Sequence, residues 1–392
     1  MEQHTVIVVG AGPAGLATAA RLHRAGMRPV VLERADAVGA SWRGRYDRLR
    51  LNSPRWYSTL PGGRWRPGTA VFPSRDDVVD HLETYAADED IDIRLGIDVA
   101  SIDRDGDAWV VATSAGDLRA PDVVVATGHA NVPHMPAWPG RDRFAGLMLH
   151  AAGYRSPAPY RERDVLVVGS GCTGAEIAHD LVEGGASRVR LAVRTPPNIM
   201  LRAPIGAPLA AALSRLPTRV SDAVARFVRR RTVGDLTAYG LPVPSEGVFS
   251  RLRRLHDAPM IVDPEVVRAI REARIEIVAG VEALDDTGVL LAGGERIGPD
   301  TVIAATGYRT GLEPLVGHLG VLDEHGSPRV TAGEAAPGLR FVGFAPRPAL
   351  LHAVGGEAQR AARAIARSTA TPTPAARPAL LDDRAWTGDL AS

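Results

Sequence analysis

The sequence contains no lysine, so all 46 basic side chains among its 392 residues are arginines. Mechanisms that need a lysine amine, such as Schiff-base catalysis, are therefore excluded. Cys172 is the only cysteine. A single thiol rules out an internal disulfide, a Cys-x-x-Cys redox pair and a cysteine-ligated cluster, and with them the reductases that work through a dithiol. The 11 histidines show no spacing typical of a metal site, so no metal is expected.

Charge and apolar runs exclude further classes. The net charge of +1 is too small to favour nucleic acid or an acidic membrane as a partner. The apolar stretch at residues 5–20 is broken by glycines and a proline and follows no basic segment, so it is not typical of a signal peptide or a membrane span. We therefore expect a globular cytoplasmic protein without a nucleic-acid or membrane partner, and a homodimer is left open.

Two glycine-rich loops each follow an apolar run and precede a helical pattern: Gly10-x-Gly12-x-x-Gly15 and Gly169-x-Gly171-x-x-Gly174. In this context the first glycine permits a tight turn, the second lets the backbone approach a pyrophosphate, and the third lets helix and strand pack closely. The phosphates then lie at the helix N-terminus. Two bound nucleotides are predicted, with further contacts from the loop residues Pro13, Ala14 and Thr173.

The strand that follows each loop ends in a different charge. Glu33 ends the first, where a carboxylate can bind both hydroxyls of an adenosine ribose and would repel a phosphate, so FAD rather than NADP is predicted there, with Arg34 beside it. Arg194 ends the second, downstream of Arg188 and Arg190, and a guanidinium suits a 2′-phosphate, so NADPH is favoured over NADH. The alternative for Glu33 is a solvated acid at the end of a strand, and the alternative for Arg194 is an exposed structural arginine.

The order of strand, glycine loop, helix and strand occurs twice, and each copy later reaches an Ala-Thr-Gly segment. We assign the threonine and glycine of both segments to nucleotide binding: Thr127, Gly128, Thr306 and Gly307. The predicted fold class is α/β with two Rossmann-like dinucleotide-binding domains. Helical patterns at 207–216 and 221–231 place an insertion in the second copy, at about residues 200–259.

A signature segment precedes the second loop. Phe144-x-Gly146-x-x-x-His150-x-x-x-Tyr154 resembles the identifying sequence FxGxxxHxxxY/F of the flavin-containing monooxygenases. The turn from Gly39 to Trp42 is similar to the Gly-Gly-x-Trp turn of that family, although Ala40 departs from it, and Trp42 could also be plain packing. The resemblance covers residues 5–367. We expect His150 to be structural rather than an acid or base.

Asn52 is the candidate catalytic residue. It stands six residues after Tyr46, a spacing found in animal members of the family, where the asparagine faces the reactive edge of the flavin. A neutral donor there can hydrogen-bond an oxygen adduct without protonating it away. The alternative is a simple turn, which Asn52-Ser53-Pro54 would also favour.

The resemblance implies an FAD-binding domain at 1–153 and 300–367, an NADP-binding domain at 154–299, and a tail at 368–392. It also implies FAD contacts from Val99 and from Gly356, in the opening turn of a helix at 350–366 that follows a strand at 339–344. The implied activity is an NADPH-consuming monooxygenase that transfers one atom of O2 to nitrogen or sulfur of a small molecule through a C4a-(hydro)peroxyflavin.

Three alternatives remain open. A Baeyer-Villiger oxygenase is one, although that family's segment usually ends His-x-x-x-Trp. Oxidative decarboxylation of a 2-oxo acid is another, because the plant indole-pyruvate monooxygenases are similar to this chain in the turn that contains Trp42. A flavin electron-transfer reductase, or a nucleotide-binding protein without oxygenation, is the third. The substrate itself has no local sequence signature.

Overall fold

The computed structural model describes residues 1–255, 260–345 and 350–370. Two mainly parallel sheets form its centre, and each adjoins a smaller, mainly antiparallel sheet. The strand Val6–Val9 shows why the sequence builds this arrangement. Val6 and Val8 contact a core shared with helices, whereas Ile7 and Val9 contact a separate core shared with the antiparallel strands. A strand buried on both faces needs a continuous apolar run, and alternation would leave one face polar.

The first parallel sheet contains the first glycine loop. Val6–Val9 pairs in parallel with Asp122–Val125 and with Pro29–Leu32. In spatial order the six strands are Glu334–Ala336, Leu339–Phe341, Asp122–Val125, Val6–Val9, Pro29–Leu32 and Ile93–Arg94. The edge strand Glu334–Ala336 is the exception, because it pairs antiparallel with its neighbour. The smaller sheet beside this first sheet is antiparallel except at Glu2–Gln3, and its strands are Glu2–Gln3, Leu118–Ala120, Ala108–Thr113 and Val99–Asp105.

The second parallel sheet repeats this plan around the second glycine loop. Its strands in spatial order are Leu147–His150, Thr301–Ala304, Asp164–Val168, Arg188–Val193 and Glu276–Ala279. Its antiparallel partner consists of Val281–Asp285, Gly288–Leu291 and Arg296–Ile297. Two short pairs complete the strands of the described residues: Asn198–Ile199 with Met260–Ile261, and Val132–Pro133 with Tyr308–Arg309. The predicted fold class is confirmed.

The α-helices of the described residues are Pro13–Arg24, Ala40–Arg43, Arg75–Asp88, Cys172–Glu183, Gly206–Leu213, Thr218–Thr232, Val248–Leu255, Pro264–Arg271, Glu313–Val316 and Leu350–Ala370. Short 3-10 turns lie at Arg55–Tyr57, Arg141–Arg143, Ala151–Gly153, Ala158–Tyr160, Thr237–Tyr239 and Gly317–Leu319. No helix in these described parts is long and apolar enough to cross a membrane. The insertion predicted at 200–259 is helical in its described part.

Several boundaries differ from the sequence predictions. The strand predicted at 339–344 ends at Phe341, because Gly343 adopts a left-handed conformation with φ of 87°. The helix predicted at 207–216 ends at Leu213, shortly before Pro217, whose ring disfavours a helical residue before it. The helix predicted at 350–366 continues to Ala370, so the tail begins later than residue 368. Most of that tail, 371–392, lies outside the described residues.

The proposed domain boundaries also differ from the sheet membership. The predicted boundaries at 153 and 300 assign two strands, Leu147–His150 and Thr301–Ala304, to the FAD-binding domain. Their backbone hydrogen bonds place both strands in the second sheet. The two strands pair in parallel with each other, and Thr301–Ala304 also pairs in parallel with Asp164–Val168. By strand pairing, the border of the second sheet therefore falls before residue 147 and after residue 304. Backbone pairing sets this border, and the sequence signature that precedes the loop belongs to the second sheet.

Candidate active site

The first glycine loop has the geometry that a nucleotide needs. Gly10 has φ of 104°, and a Cβ there would lie 2.9 Å from the carbonyl oxygen of Ala126. A Cβ on Gly15 would overlap the carbonyl oxygen of Gly10. The helix that follows begins after Gly12 without a side-chain cap, with Pro13 in its first turn. Its first backbone N–H groups are therefore available to a phosphate.

Glu33 lies in a cleft next to this loop, as predicted. Its carboxylate accepts hydrogen bonds from the backbone N–H groups of Ala11 at 2.8 Å and Ala35 at 3.0 Å, which fix its position. The cleft has a volume of about 510 Å³. Among the predicted FAD contacts it is lined by Gly10, Gly12, Glu33, Arg34, Gly39, Val99 and Thr127.

Thr127 contributes an unsatisfied group to this cleft. Its buried hydroxyl has no hydrogen-bond partner among the described residues. A buried hydroxyl normally has one, so it is available to a bound nucleotide. Sequence reasoning missed Asn131, which lines the same cleft and accepts a hydrogen bond from Arg34 at 2.8 Å. It carries no motif of its own and reaches the cleft only through tertiary structure.

Several predicted FAD contacts do not line this cleft: Pro13, Ala14, Gly15, Trp42, Gly128 and Gly356. Trp42 is partly buried and packs against the helical core, which agrees with the packing alternative. Gly356 lies beyond the first turn of Leu350–Ala370, not in its opening turn as predicted. The residues that immediately precede this helix, 346–349, lie outside the described residues. Neither Trp42 nor Gly356 lines the cleft beside Glu33.

The second glycine loop repeats the geometry of the first. Gly169 has φ of 116°, and a Cβ on Gly174 would overlap the carbonyl oxygen of Gly169. The helix Cys172–Glu183, which contains Thr173, begins after Gly171 without a side-chain cap. Both loops therefore leave a helix N-terminus open to an anion.

Arg194, which directly follows the strand Arg188–Val193, differs in its pairing from the two arginines within that strand. Arg188 donates to Glu276 at 2.8 Å and Arg190 donates to Asp164 at 2.5 Å. Arg194 is exposed and has no hydrogen bond or ion pair with any residue that the structure describes. It is thus the one of the three whose guanidinium remains available to a ligand. Arg188 and Arg190 are committed to the sheet.

The signature segment serves the structure of the second half. The Nδ1 atom of His150 accepts from the backbone N–H of Ala152 at 3.0 Å, so its Nε2–H donates to the carbonyl of Gly307, also at 3.0 Å. Burial lowers the pKa of His150 and favours this neutral form. Tyr154 is buried, and its hydroxyl donates to Asp180 at 2.8 Å. These contacts agree with the structural role expected for His150.

Asn52 of the first half reaches the second glycine loop. Its Nδ2 lies 3.5 Å from the sulfur of Cys172, and its Oδ1 accepts from Arg202 at 3.2 Å. The same Nη2 atom of Arg202 donates to Glu176 at 2.6 Å. The other oxygen of Glu176 accepts from the hydroxyl of Tyr46 at 2.7 Å. Residues from both halves thereby form one network, which we call the interdomain network: Tyr46, Asn52, Cys172, Glu176 and Arg202.

Burial dominates the electrostatics of the interdomain network. It raises the pKa of the Cys172 thiol to about 12, so the thiol stays protonated and unreactive at neutral pH. It also raises the pKa of Glu176, against the opposing effect of Arg202. The pKa of Tyr46 is raised by burial and by the neighbouring Glu176, so its hydroxyl remains a donor. Sequence reasoning had assigned no role to Glu176 or Arg202, which have no local signature.

Comparisons with known proteins agree with this geometry. Residues 7–200 match the family described as "Pyridine nucleotide-disulphide oxidoreductase". Indole-3-pyruvate monooxygenase YUCCA8 from Oryza sativa subsp. indica is 34% identical over 383 residues, which cover 92% of this chain and 90% of the relative. YUCCA1 from Oryza sativa subsp. japonica is 34% identical over 314 residues, or 78% of this chain and 77% of the relative. The structure of a flavin-containing monooxygenase from Stenotrophomonas maltophilia superimposes with a TM-score of 0.72 at 23% identity, over 94% of this chain and all of that one.

The fold and the paired loops define a flavoprotein with two dinucleotide-binding halves. The chain belongs to the flavin-containing monooxygenase family and is a flavin-dependent monooxygenase. The disulfide chemistry named in the matched family's description does not extend to it, because Cys172 is its only cysteine.

Proposed function

We propose that the protein uses FAD and NADPH to transfer one oxygen atom from O2 to a small organic substrate. The observation that carries this proposal is the contrast between the two loops. A fixed carboxylate, Glu33, stands beside the first loop. After the second loop, Arg194 directly follows the strand Arg188–Val193, and its guanidinium has no partner among the described residues. The carboxylate suits the ribose of FAD and the guanidinium suits the 2′-phosphate of NADPH.

Both loops fit the nucleotides proposed for them. Neither Gly15 nor Gly174 has room for a Cβ, so helix and strand lie close enough for the backbone to cradle a pyrophosphate. The hydroxyl of Thr127, which has no hydrogen-bond partner in the part of the chain that the structure describes, would supply a further polar contact in the first cleft. We assign FAD to the first half and NADP to the second, with the border set by the two sheets.

The bound flavin would supply the reduction and activation of oxygen, and the protein would supply position and polarity. In our proposal Asn52 presents a neutral amide donor at the junction of the two halves. Arg202 holds the amide oxygen, so the amide nitrogen is the group left to face a ligand. Because Cys172 is a weak acceptor, a bound ligand can replace it as the partner of that nitrogen.

Two substrate classes follow, and they differ in the support they have. A nucleophilic nitrogen or sulfur atom is the class that the signature segment favours. A 2-oxo acid that loses carbon dioxide is the second candidate, favoured because the two relatives at 34% identity are named indole-3-pyruvate monooxygenases. The Baeyer-Villiger alternative has only fold-level support, from a cyclohexanone monooxygenase structure at 18% identity.

The test is a coupled assay on the purified protein. Its flavin is released and identified, and oxidation of NADPH and NADH is then followed in air with amines, sulfides, ketones and 2-oxo acids. We expect bound FAD, a preference for NADPH, and oxygenated product in proportion to NADPH with one class. NADPH oxidation that yields only hydrogen peroxide with every class, or only reduction of an electron acceptor, would favour the reductase. A cytoplasmic location and a homodimer belong to the proposal, and light scattering measures the latter.

A further inference from the structure

The helical insertion exposes apolar side chains in an unusual concentration. Of the 15 large hydrophobic side chains exposed in the described residues, eight lie between positions 205 and 243. Single exposed hydrophobic residues need no explanation, but a cluster on one segment marks an interaction surface. The eight are Ile205, Leu209, Leu216, Val220, Phe227, Val228, Tyr239 and Val243.

The helix Thr218–Thr232 packs Val224 and Ala225 against a small hydrophobic cluster but leaves other apolar side chains on its exposed side. Ser221 and Asp222 are buried, whereas Val220 is 48% exposed and Phe227 is 59% exposed. Phe227 follows Val220 by seven residues, or about two helical turns, so the two share one face of the helix. Leu216 is exposed just before the helix begins, and we call these three side chains the stripe. This stripe faces away from the protein core.

Hydrogen bonds hold the helix in this orientation. The hydroxyl of Ser221 donates to the carbonyl of Leu213 at 2.7 Å. The carboxylate of Asp222 accepts from the backbone N–H of Phe249 at 2.8 Å and from that of Ser250 at 3.3 Å, at the start of the helix Val248–Leu255. Rolling the helix to bury Phe227 would break these bonds and leave buried polar groups unsatisfied. The outward stripe is therefore a property of the folded insertion.

Unpaired positive charge surrounds the stripe. Asp222 is the only acid between positions 205 and 231, and it is buried. The side chains of the exposed arginines in this stretch form no hydrogen bond or ion pair with another residue that the structure describes, although the guanidinium of Arg231 lies over the ring of Phe227 at 5.2 Å. We call the stripe and these arginines the basic apolar face: Leu216, Val220, Phe227, Arg215, Arg219, Arg226, Arg230 and Arg231.

We propose that the basic apolar face docks the enzyme on the surface of an anionic lipid bilayer. An amphipathic helix with arginines around an apolar stripe lies in the plane of the lipid headgroups, with its apolar side chains inserted and its cations among the phosphates. A second copy of the chain is a poor occupant, because five exposed arginines would meet five others. The expectation of no membrane partner came from the net charge of the whole chain, which conceals this segregation.

Vesicle binding of the full-length enzyme tests this proposal. The enzyme is sedimented with vesicles of phosphatidylglycerol and phosphatidylcholine in equal parts, and with pure phosphatidylcholine vesicles, at low and at high salt. We expect binding to the anionic vesicles that high salt weakens, and little binding to the neutral ones. Each arginine near such a surface contributes about fivefold in affinity, so Arg230→Gln with Arg231→Gln should weaken binding by an order of magnitude or more.

Matched variants distinguish binding through the basic apolar face from non-specific adsorption to vesicles. Phe227→Ser should weaken vesicle binding, whereas Leu95→Ser, at an exposed apolar position outside the insertion, should not. Arg329→Gln, at an exposed arginine outside the insertion, is the control for charge. Thermal unfolding confirms that each variant folds. Absence of binding to anionic vesicles at low salt, or equal binding by all variants, would overturn the proposal. The proposal would also be overturned if the wild-type enzyme did not bind vesicles but formed a dimer that Phe227→Ser dissociates.

Discussion

The side chain of Asn52 is held at both ends, and this is where residue-level chemistry can be tested. Arg202 donates to its oxygen, and the sulfur of Cys172 lies near its nitrogen. The oxygen and nitrogen of an amide can exchange places by rotation of the side chain. The guanidinium of Arg202 can only donate, so it fixes the oxygen on its own side and the nitrogen on the other. The orientation of the donor thus depends on a residue far away in the sequence.

Replacing Asn52 should uncouple the reaction. We expect Asn52→Ala to raise the fraction of NADPH that ends as hydrogen peroxide and to lower product yield by about tenfold or more, because one preorganised donor is lost. Asn52→Asp keeps an acceptor for Arg202 but lacks the donor, so it should behave similarly. Peroxide and product are measured per NADPH consumed. Unchanged coupling in both variants would remove Asn52 from the active site.

Arg202→Lys should reproduce part of that defect. A lysine keeps the charge beside Glu176, but it lacks the planar guanidinium that reaches both Glu176 and Asn52. If Arg202 acts through Asn52, the double variant with Asn52→Ala should be no more uncoupled than Asn52→Ala alone. Additive losses would instead indicate two independent roles.

Arg194→Gln should impair the use of NADPH selectively. A charge-assisted bond is worth about 1.5–3 kcal/mol, so the KM for NADPH should rise by roughly tenfold or more while that for NADH changes little. Arg188→Gln is the matched control, because Arg188 already pairs with Glu276 of the neighbouring strand Glu276–Ala279. Steady-state kinetics with both nucleotides measures the effect. A similar rise for both nucleotides would contradict the assignment of the 2′-phosphate.

At the scale of elements, each glycine loop depends on close contact between a helix and a strand. Gly15→Ala would force the helix Pro13–Arg24 away from Gly10, and we expect loss of bound flavin with about 1–3 kcal/mol of stability. Gly44→Ala is the control, since a Cβ at Gly44 meets nothing closer than 3.5 Å. The ratio of flavin to protein absorbance, with urea unfolding, measures both effects. Full flavin content in Gly15→Ala would refute the close approach.

The sequence predicted these elements well where the pattern is local. Pro29–Leu32 lies where an apolar run predicted a strand. The helix Arg75–Asp88 has Ser74 as its N-cap, and Ser74 and Asp77 form a reciprocal capping box, a start signal that is local in the sequence. Termini were less predictable, because Gly343 and Pro217 end elements through conformations that hydrophobic pattern does not reveal.

At the scale of the whole molecule, burial of neutral histidines makes stability depend on pH. The Nε2 atom of His81 accepts from the backbone N–H of Leu60 at 3.3 Å, so its Nδ1–H donates to the carbonyl of Arg64 at 3.1 Å. Burial lowers the pKa of His81 below its ordinary value of 6.5. Burial also lowers the pKa values of His150 and His179. The folded chain therefore resists protonation that the unfolded chain accepts.

Neutral His81 should contribute fully to the free energy of unfolding at pH values above the pKa that this histidine has in the unfolded chain. The contribution should be lost as the pH falls below that pKa. His81→Gln cannot titrate, so the difference in unfolding free energy between wild type and variant should shrink between about pH 7.5 and about pH 5. Urea unfolding at several pH values measures that difference. A difference that stays constant over this range would show that His81 does not contribute to the pH dependence.

What the sequence determined by itself is the repeated plan and its chemistry. Glycine loops, buried strands and a terminal acid or arginine act within a few residues of one another, so their meaning is present in the chain order. Only the tertiary structure decided that Asn52 meets Arg202, that Arg190 rather than Arg194 pairs with Asp164, and that the helix Thr218–Thr232 turns Phe227 outward. Each depends on partners brought together by packing and on buried polar groups that must find hydrogen bonds. Such pairings have no period or motif in the sequence.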